Sequence, residues 1–476
     1  MIILVDMKKK AFNLQSSVFS FILVLAGLFV ASSAMAQQVA PFKKGDRVCF
    51  VGNSITDGGH YHSYIWLYYM THFPFEEMWM ANCGVGGDTS LEILNRLDGD
   101  VFAKRPNVIT LTFGMNDSGY FEYNGNEPEK FAAEKLALAQ KNFSEIEKRL
   151  KARPETRMIM IGTSPYDQTS TFNDNIFRNK NNTIGKIVDF QKEAARTNGW
   201  EFVDFWAPMN KINEEQQAID PTYTICGNDR IHPDNDGHLV MAYLFLKAQG
   251  MAGKKVADVE VNAKSKKVVK SENCEITNVE NRSGVLTFDY LAHSLPFPLD
   301  TIPRGWEYRR QQAAALKVIP QFMDEMDNEA FCVTGLKGQY QLLIDGQLID
   351  TFTADQLSAG INLACYRHTP QYVQAKTIME LNENRWEIER QFRDYAWLQY
   401  NFFMKKGMLD QNDEQAARTF RAGQDDGWVA AKRGLYDKMI HKEVRDMHIR
   451  QMDMIVERIY QINKPQVRKI TLTPVK

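Results

Sequence analysis

The chain has 476 residues, and its 57 Lys and Arg nearly balance 59 Asp and Glu, for a net charge of -2. Such a balance gives no electrostatic case for a nucleic-acid partner, which needs a basic face. Composition, with 44% hydrophobic, 24% charged and 11% aromatic residues, is that of a globular protein rather than a disordered or fibrous one, and the length predicts two folded units.

In chain order, the first element is a secretory signal over residues 1–36. Met7-Lys8-Lys9-Lys10 supplies the basic start, Val18 to Val30 the apolar run, and Ala34-Met35-Ala36 the small-residue cleavage site. The apolar run is shorter than the ~20 residues a spanning helix needs, so export to a bacterial periplasm or exterior is expected, with no stable membrane insertion after cleavage.

Residues 42–252 alternate short apolar β-branched runs with amphipathic segments, the pattern of a parallel sheet covered by helices in a three-layer α/β domain. Predicted strands are Arg47 to Val51, Met78 to Asn82, Val108 to Phe113, Met158 to Gly162 and Phe202 to Phe205. Predicted helices run from Glu127 to Leu150 and from Asn173 to Asn198, ended by Arg153-Pro154 and Asn198-Gly199. In sheets of this kind, reactive groups gather in loops beyond the carboxyl ends of the strands.

Four loops carry chemistry. After the first strand stands Gly52-Asn53-Ser54-Ile55-Thr56, a serine at a strand-to-helix turn where unpaired N–H groups can hold an oxyanion. After the second comes Asn82-Cys83-Gly84-Val85-Gly86-Gly87-Asp88, whose spacing matches neither a dinucleotide fingerprint nor a Walker loop; a backbone N–H from Gly87 is its functional content. After the third, Gly114-Met115-Asn116-Asp117 offers a carboxamide donor, or else an Asx turn. Last, Asn228-Asp229-Arg230-Ile231-His232-Pro233-Asp234 sets an Asp three positions before a His, where the carboxylate can engage Nδ1 and leave Nε2 free to take a serine proton. The competing reading is helix capping by Asp229 or Asp234. His238 reads as a helix-face residue, and neither a metal nor a cofactor is expected.

Together these blocks resemble the SGNH (GDSL-like) hydrolase family, in the family's order and across residues 46–240. The resemblance implies a flavodoxin-like fold and an esterase mechanism through an acyl-enzyme. It assigns Ser54 as nucleophile, His232 as base, Asp229 as its orienter, and the Ser54 amide, Gly87 amide and Asn116 side chain as oxyanion hole. The first block reads GNSIT rather than GDSL, so Asn53 stands where the family has Asp.

The expected substrate is a small-molecule or polysaccharide ester. Removal of O-acetyl groups from carbohydrates is favoured because an exported enzyme meets glycans. Lipid or aryl-ester acyl hydrolysis with the same triad, and a glycan-binding module with a decayed site, are the alternatives.

Residues 255–476 read as a C-terminal region of mixed strands and helices with no recognisable motif. Strands fall near Glu275 to Val279 and Gly284 to Tyr290, and Tyr340 to Ile344 pairs with Leu348 to Phe352 through an Asp345-Gly346 turn. Two packing helices follow, one striped by Ile388, Phe392, Tyr395 and Phe402, the other by Ile440, Val444, Met447 and Ile455. The Pro-rich stretch His293 to Trp306 offers Trp306 as a sugar-facing aromatic or as a core residue. Of six cysteines, Cys49 and Cys83 fit buried thiols in strands.

Overall fold

The computed structural model describes residues 39–305 and 310–475; residues 1–36, where a signal is expected, and Trp306 lie outside them. Five parallel strands form the first sheet: β1 (Arg47–Gly52), β2 (Trp79–Gly84), β3 (Val108–Leu111), β4 (Arg157–Gly162) and β5 (Glu201–Asp204). Their order, β2-β1-β3-β4-β5, is the flavodoxin-like arrangement. β1 to β4 are nearly all buried because helices cover both faces, which is why their sequences are mostly apolar runs rather than alternations, whereas the edge strand β5 is only half-buried. Tyr61–His72 and Asn235–Ala248 build the core on one face, around Ile65, Tyr68, Leu239 and Phe245. Ser90–Arg96 and Pro128–Lys151 build the other, around Ile93, Phe143 and Ile146.

The helix expected from Asn173 begins instead at Lys180. Asn179 takes a left-handed φ of 68°, and the Arg230 guanidinium holds the Asn173 carbonyl at 2.5 Å, so the intervening residues serve as a loop.

After residue 256 two further sheets face one another across a separate apolar core that includes Val259, Phe288, Phe331 and Leu342. Their strands are β6 (Ala257–Asn262), β7 (Lys267–Glu272), β8 (Cys274–Arg282), β9 (Val285–Ala292), β10 (Glu329–Thr334), β11 (Gln339–Ile344), β12 (Gln347–Thr353), β13 (Ile361–Asn362) and β14 (Arg468–Pro474); one sheet has the order β13-β10-β6-β7, the other β12-β11-β14-β9-β8. The hairpin of β11 (Gln339–Ile344) and β12 (Gln347–Thr353) turns through Asp345 at φ 52° and Gly346 at φ 81°, the left-handed pair this two-residue connection requires. The chain then leaves the sandwich for a helical excursion, chiefly Pro370–Trp397 and Lys442–Ile462, and returns as β14 (Arg468–Pro474) between β9 (Val285–Ala292) and β11.

The Pro370–Trp397 helix lies along the free edge of β2. There the Asn82 amide donates to Glu389 Oε1 at 2.9 Å, and the Trp386 ring stacks on His60 at 4.0 Å while its Nε1–H reaches the Gly59 carbonyl. An exposed strand edge is thereby occupied by a side chain instead of another strand. The second helix departs from expectation. Its stripe is only half-buried, Met447 is 60% exposed, and Ile459 and Tyr460 are its buried residues. All six cysteines are free, with Cys49 and Cys83 buried.

Two buried histidines link this packing to acid stability. Burial pushes His62, whose Nε2 contacts the Thr56 carbonyl at 3.1 Å, down to about 4 and His72 down to about 3. In the unfolded chain both titrate near ~6.5, so between these values the unfolded state binds protons that the folded state refuses. Stability is therefore expected to fall as pH drops from about 6.5 toward 4, by about 3 kcal/mol per histidine. Urea unfolding across that range measures it, and His62→Gln should make the decline shallower.

Candidate active site

All four loops meet at the carboxyl edge of the first sheet. Ser54 opens a single helical turn, Ser54–Asp57, directly after β1, and Asn53 caps it: its Oδ1 accepts from the Ile55 amide at 3.0 Å. The Asn that replaces the family's Asp thus still makes the turn's hydrogen bond. Ser54 is 8% exposed, and His232 Nε2 lies 2.7 Å from its Oγ. Asp229 Oδ2 lies 2.5 Å from His232 Nδ1, while Asp229 Oδ1 accepts from the amides of Ile231 and His232, both at 2.9 Å. One carboxylate oxygen thus engages the imidazole while the other closes a local turn rather than capping a helix, since the next helix begins only at Asn235, with Asp234 at its N-cap.

Electrostatics follow from this. Burial favours the neutral acid of Asp229, but the hydrogen bond and charge of His232 and the two amides outweigh it and hold the carboxyl below its ordinary range. Arg230, between the two residues, is buried at φ 70°, and donates to the carbonyls of Asp167 at 3.1 Å and Ser170 at 2.9 Å. This anchors the Asp-His loop to the loop after β4.

Asn116 is fixed from both ends. Its Nδ2 donates to the Asp88 carbonyl at 2.8 Å and its Oδ1 accepts from Tyr120 Oη at 2.5 Å, so the flip is determined and one N–H remains for another acceptor. The loop around it wraps the buried Lys180, whose Nζ donates to Met115 O at 2.6 Å, Ser118 Oγ at 2.7 Å and Gly119 O at 2.6 Å, beneath the Tyr120 ring at 3.8 Å. Asp117 accepts from Ser90 N at 2.8 Å and Gly114 N at 3.0 Å, pinning the Asn116 loop to the Ser90–Arg96 helix. Gly87 sits at an exposed bend with φ 80° beside these residues. Gly86 donates from its amide to Asp57 Oδ2 at 3.0 Å, and burial lifts the Asp57 carboxyl to about 6 against the opposing charge of Arg390.

Sequence reasoning missed Tyr120, Lys180 and Arg230. For Tyr120 and Arg230 the only signal was their position within or near the four loops; Lys180 falls inside the segment expected to be helix from Asn173 and carried none. His238 is on a helix as expected, but buried and stacked over Tyr61 at 6.1 Å. Among the described residues no cluster of three His, Cys, Asp or Glu could hold a metal, and no helix is long and apolar enough to cross a membrane.

A serine hydroxyl, an imidazole and a carboxylate in one hydrogen-bonded row, at the carboxyl edge of a flavodoxin-like sheet, are the arrangement of a serine hydrolase acting on ester bonds. The model of the GDSL-like lipase/acylhydrolase family matches residues 50–240, and that of the diltiazem deacetylase C-terminal helical domain matches residues 376–464. A gut microbial diltiazem-metabolizing enzyme of known structure is 55% identical, with a TM-score of 0.91 over 93% of this chain and 100% of that one. An acetylxylan esterase from Geobacillus stearothermophilus is 23% identical over 222 residues, covering 43% of this chain and 94% of that protein. The chain belongs to the GDSL-like lipase/acylhydrolase family and is a carboxylic ester hydrolase, with a C-terminal helical domain that sequence reading had left without a motif.

The backbone beyond Ser54 leaves no room for a side chain at Gly59. A Cβ there would stand 2.0 Å from His238 Cε1 and 2.3 Å from the Ile55 carbonyl oxygen. Gly59→Ala should therefore displace the Ser54 turn and cost about 1–3 kcal/mol of stability, measurable by denaturant unfolding.

Proposed function

We propose that this enzyme removes acetyl groups from hydroxyl-bearing substrates, with Ser54 as nucleophile, His232 as general base and acid, and Asp229 as the residue that orients the imidazole. The observation that carries this reading is the 2.7 Å approach of His232 Nε2 to Ser54 Oγ, with Asp229 behind Nδ1. His232 takes the Ser54 proton as Oγ attacks the ester carbonyl. The oxyanion is received by the amides of Ser54 and Gly87 and by the remaining N–H of Asn116. Collapse of the tetrahedral intermediate breaks the bond to the alcohol, which leaves with the proton from His232. Water, deprotonated by the same imidazole, then attacks the acyl-serine, releasing acetate and restoring the hydroxyl. No cofactor takes part in these steps.

Acetyl as the acyl group is supported by the C-terminal family model, which is named for a deacetylase, and by one relative, an acetylxylan esterase. The alcohol is a carbohydrate or another small molecule. Carbohydrate is the natural choice for an exported enzyme, and export rests on residues 1–36 acting as a signal; N-terminal sequencing of the secreted protein should begin at Gln37. A lipid acylhydrolase is the second reading, and chain-length preference separates the two.

Ser54→Ala should abolish both labelling by a fluorophosphonate probe and release of acetate. Asp229→Asn should leave the fold intact and lower kcat by about 10⁴-fold, because the imidazole then presents the wrong tautomer. Hydrolysis of p-nitrophenyl esters should fall steeply from acetate to octanoate. A preference for octanoate, or labelling that survives in Ser54→Ala, would refute the assignment.

A further inference from the structure

The C-terminal helical region has no side chain among those assigned to the reaction, yet two of its contact paths lead to one residue of the glycine-rich loop. Asp88 is fully buried and is held three ways. Its Oδ2 accepts from Arg96 Nε at 2.6 Å, its Oδ1 accepts from Asn401 Nδ2 at 3.0 Å, and its backbone carbonyl is the oxygen on which Asn116 Nδ2 rests at 2.8 Å. Asn401 is 313 residues away from Asp88 along the chain. It is delivered by a π-helical turn, Leu398–Phe403, that directly continues the Pro370–Trp397 helix. In the same turn Tyr400 fills the space beside Gly99, where a Cβ would stand 2.2 Å from its Oη. A π-turn of this kind commonly marks a place where a helix presents a side chain for a purpose.

A second path reaches the same carboxylate. Arg393, 3% exposed, pairs with both oxygens of Asp100 at 2.8 and 2.9 Å; Asp100 accepts from Arg96 Nη1 at 2.7 Å; and Arg96 donates to Asp88 and, through Nη2, to the Gly52 carbonyl at 2.9 Å. Gly52 is the last residue of β1, two positions before Ser54. The helical region thus braces the carbonyl that aims Asn116 and the strand end that presents the nucleophile.

We propose that the C-terminal helical region is a working part of the active site, with Asn401 and Arg393 as positioning residues that fix Asp88 and through it the oxyanion donor Asn116. The proposal rests on the reading of Asn116 as an oxyanion donor. A side chain that only glued two regions together would act on stability. Asn401 and Arg393 act on the transition state, because a carboxamide displaced by a fraction of an ångström no longer meets the oxyanion.

The pH profile offers a readout that mere docking would not move. Burial lifts the Asp88 carboxyl to about 6, opposed by the charge of Arg96 and the hydrogen bond from Asn401 and reinforced by Glu92 on the same helix as Arg96. Removing the Asn401 donor raises it further. The carboxylate that holds Arg96 is then lost at a higher pH as acid is added.

The test compares wild type, Asn116→Ala, Asn401→Ala, the double variant and Arg393→Lys on p-nitrophenyl acetate. Losing the donor itself in Asn116→Ala should lower kcat about 100-fold. Asn401→Ala should lower kcat about tenfold with KM little changed, the double variant should be no worse than Asn116→Ala, and the acid limb of kcat/KM should move to higher pH in Asn401→Ala. Arg393→Lys, which keeps a cation beside Asp100, should also lose kcat and not KM, and it decides the matter if Asn401→Ala does not fold. Unchanged kcat in Arg393→Lys, or losses in the double variant that multiply with an unmoved acid limb, would overturn the proposal. If Asn116→Ala itself keeps full kcat, the reading of Asn116 fails instead, whatever Asn401 does.

Discussion

Everything at the site hangs on the Arg96 guanidinium, which has no contact with solvent. A planar cation with five N–H donors is strongly disfavoured in a protein interior unless its partners are charged and correctly placed. Here they are the carboxylates of Asp88 and Asp100 and the carbonyl of Gly52, each within 2.9 Å. Those three groups belong to the glycine-rich loop, to the turn after the Ser90–Arg96 helix and to the end of β1. The rigid spacing of one side chain therefore sets the distance between the loop of Ser54 and the loop beside it. Asp100 is shared in turn with Lys104 and Arg393, and these cations with Arg96 overcome its burial and keep the carboxyl charged, so the two acids and three bases of the cluster form a closed set.

The same economy of contacts explains how the β2 edge of the flavodoxin-like sheet is finished. Glu389, whose Oε1 takes the Asn82 amide, is itself held by Arg385 at 2.7 Å, and the neighbouring Asn382 donates to Ser63 Oγ at 2.8 Å. One long helix presents Asn382, Glu383, Arg385, Trp386, Glu389 and Arg393 as a buried face that is largely polar. Polar faces of this kind impose registry more strictly than apolar ones, since a shift by one turn would leave several charges unmatched.

Much of the catalytic half was legible because its physics is local. Strands buried on both faces must be apolar at nearly every position, so β1, β3 and β4 announced themselves, and an Asp three residues before a His in a turn can reach Nδ1 with little help from the rest of the chain. The Asp345-Gly346 hairpin was equally local. What failed to show was non-local. Nothing near Asn173 signals that Arg230 will seize its carbonyl and delay the helix to Lys180. Nothing near Asn401 signals that it meets Asp88. The stripe of Ile440, Val444 and Met447 has helical spacing, but spacing cannot say whether a neighbour arrives to cover it, and around Met447 none does. Lys180 shows the same limit, since a lysine at a helix start reads as solvated until the Asn116 loop is seen to wrap it.

The return of the chain as β14 has a consequence for how this protein is made. Because that strand lies in the interior of its sheet, with β9 on one side and β11 on the other, the sandwich cannot close while the helical excursion is still emerging from the ribosome. Two strand flanks stay unpaired for that interval, and contacts between segments so far apart in sequence form slowly. The sandwich and the helices that it encloses in sequence are thus obliged to mature together, and a nascent chain halted before residue 468 would present two sticky ribbons to its neighbours.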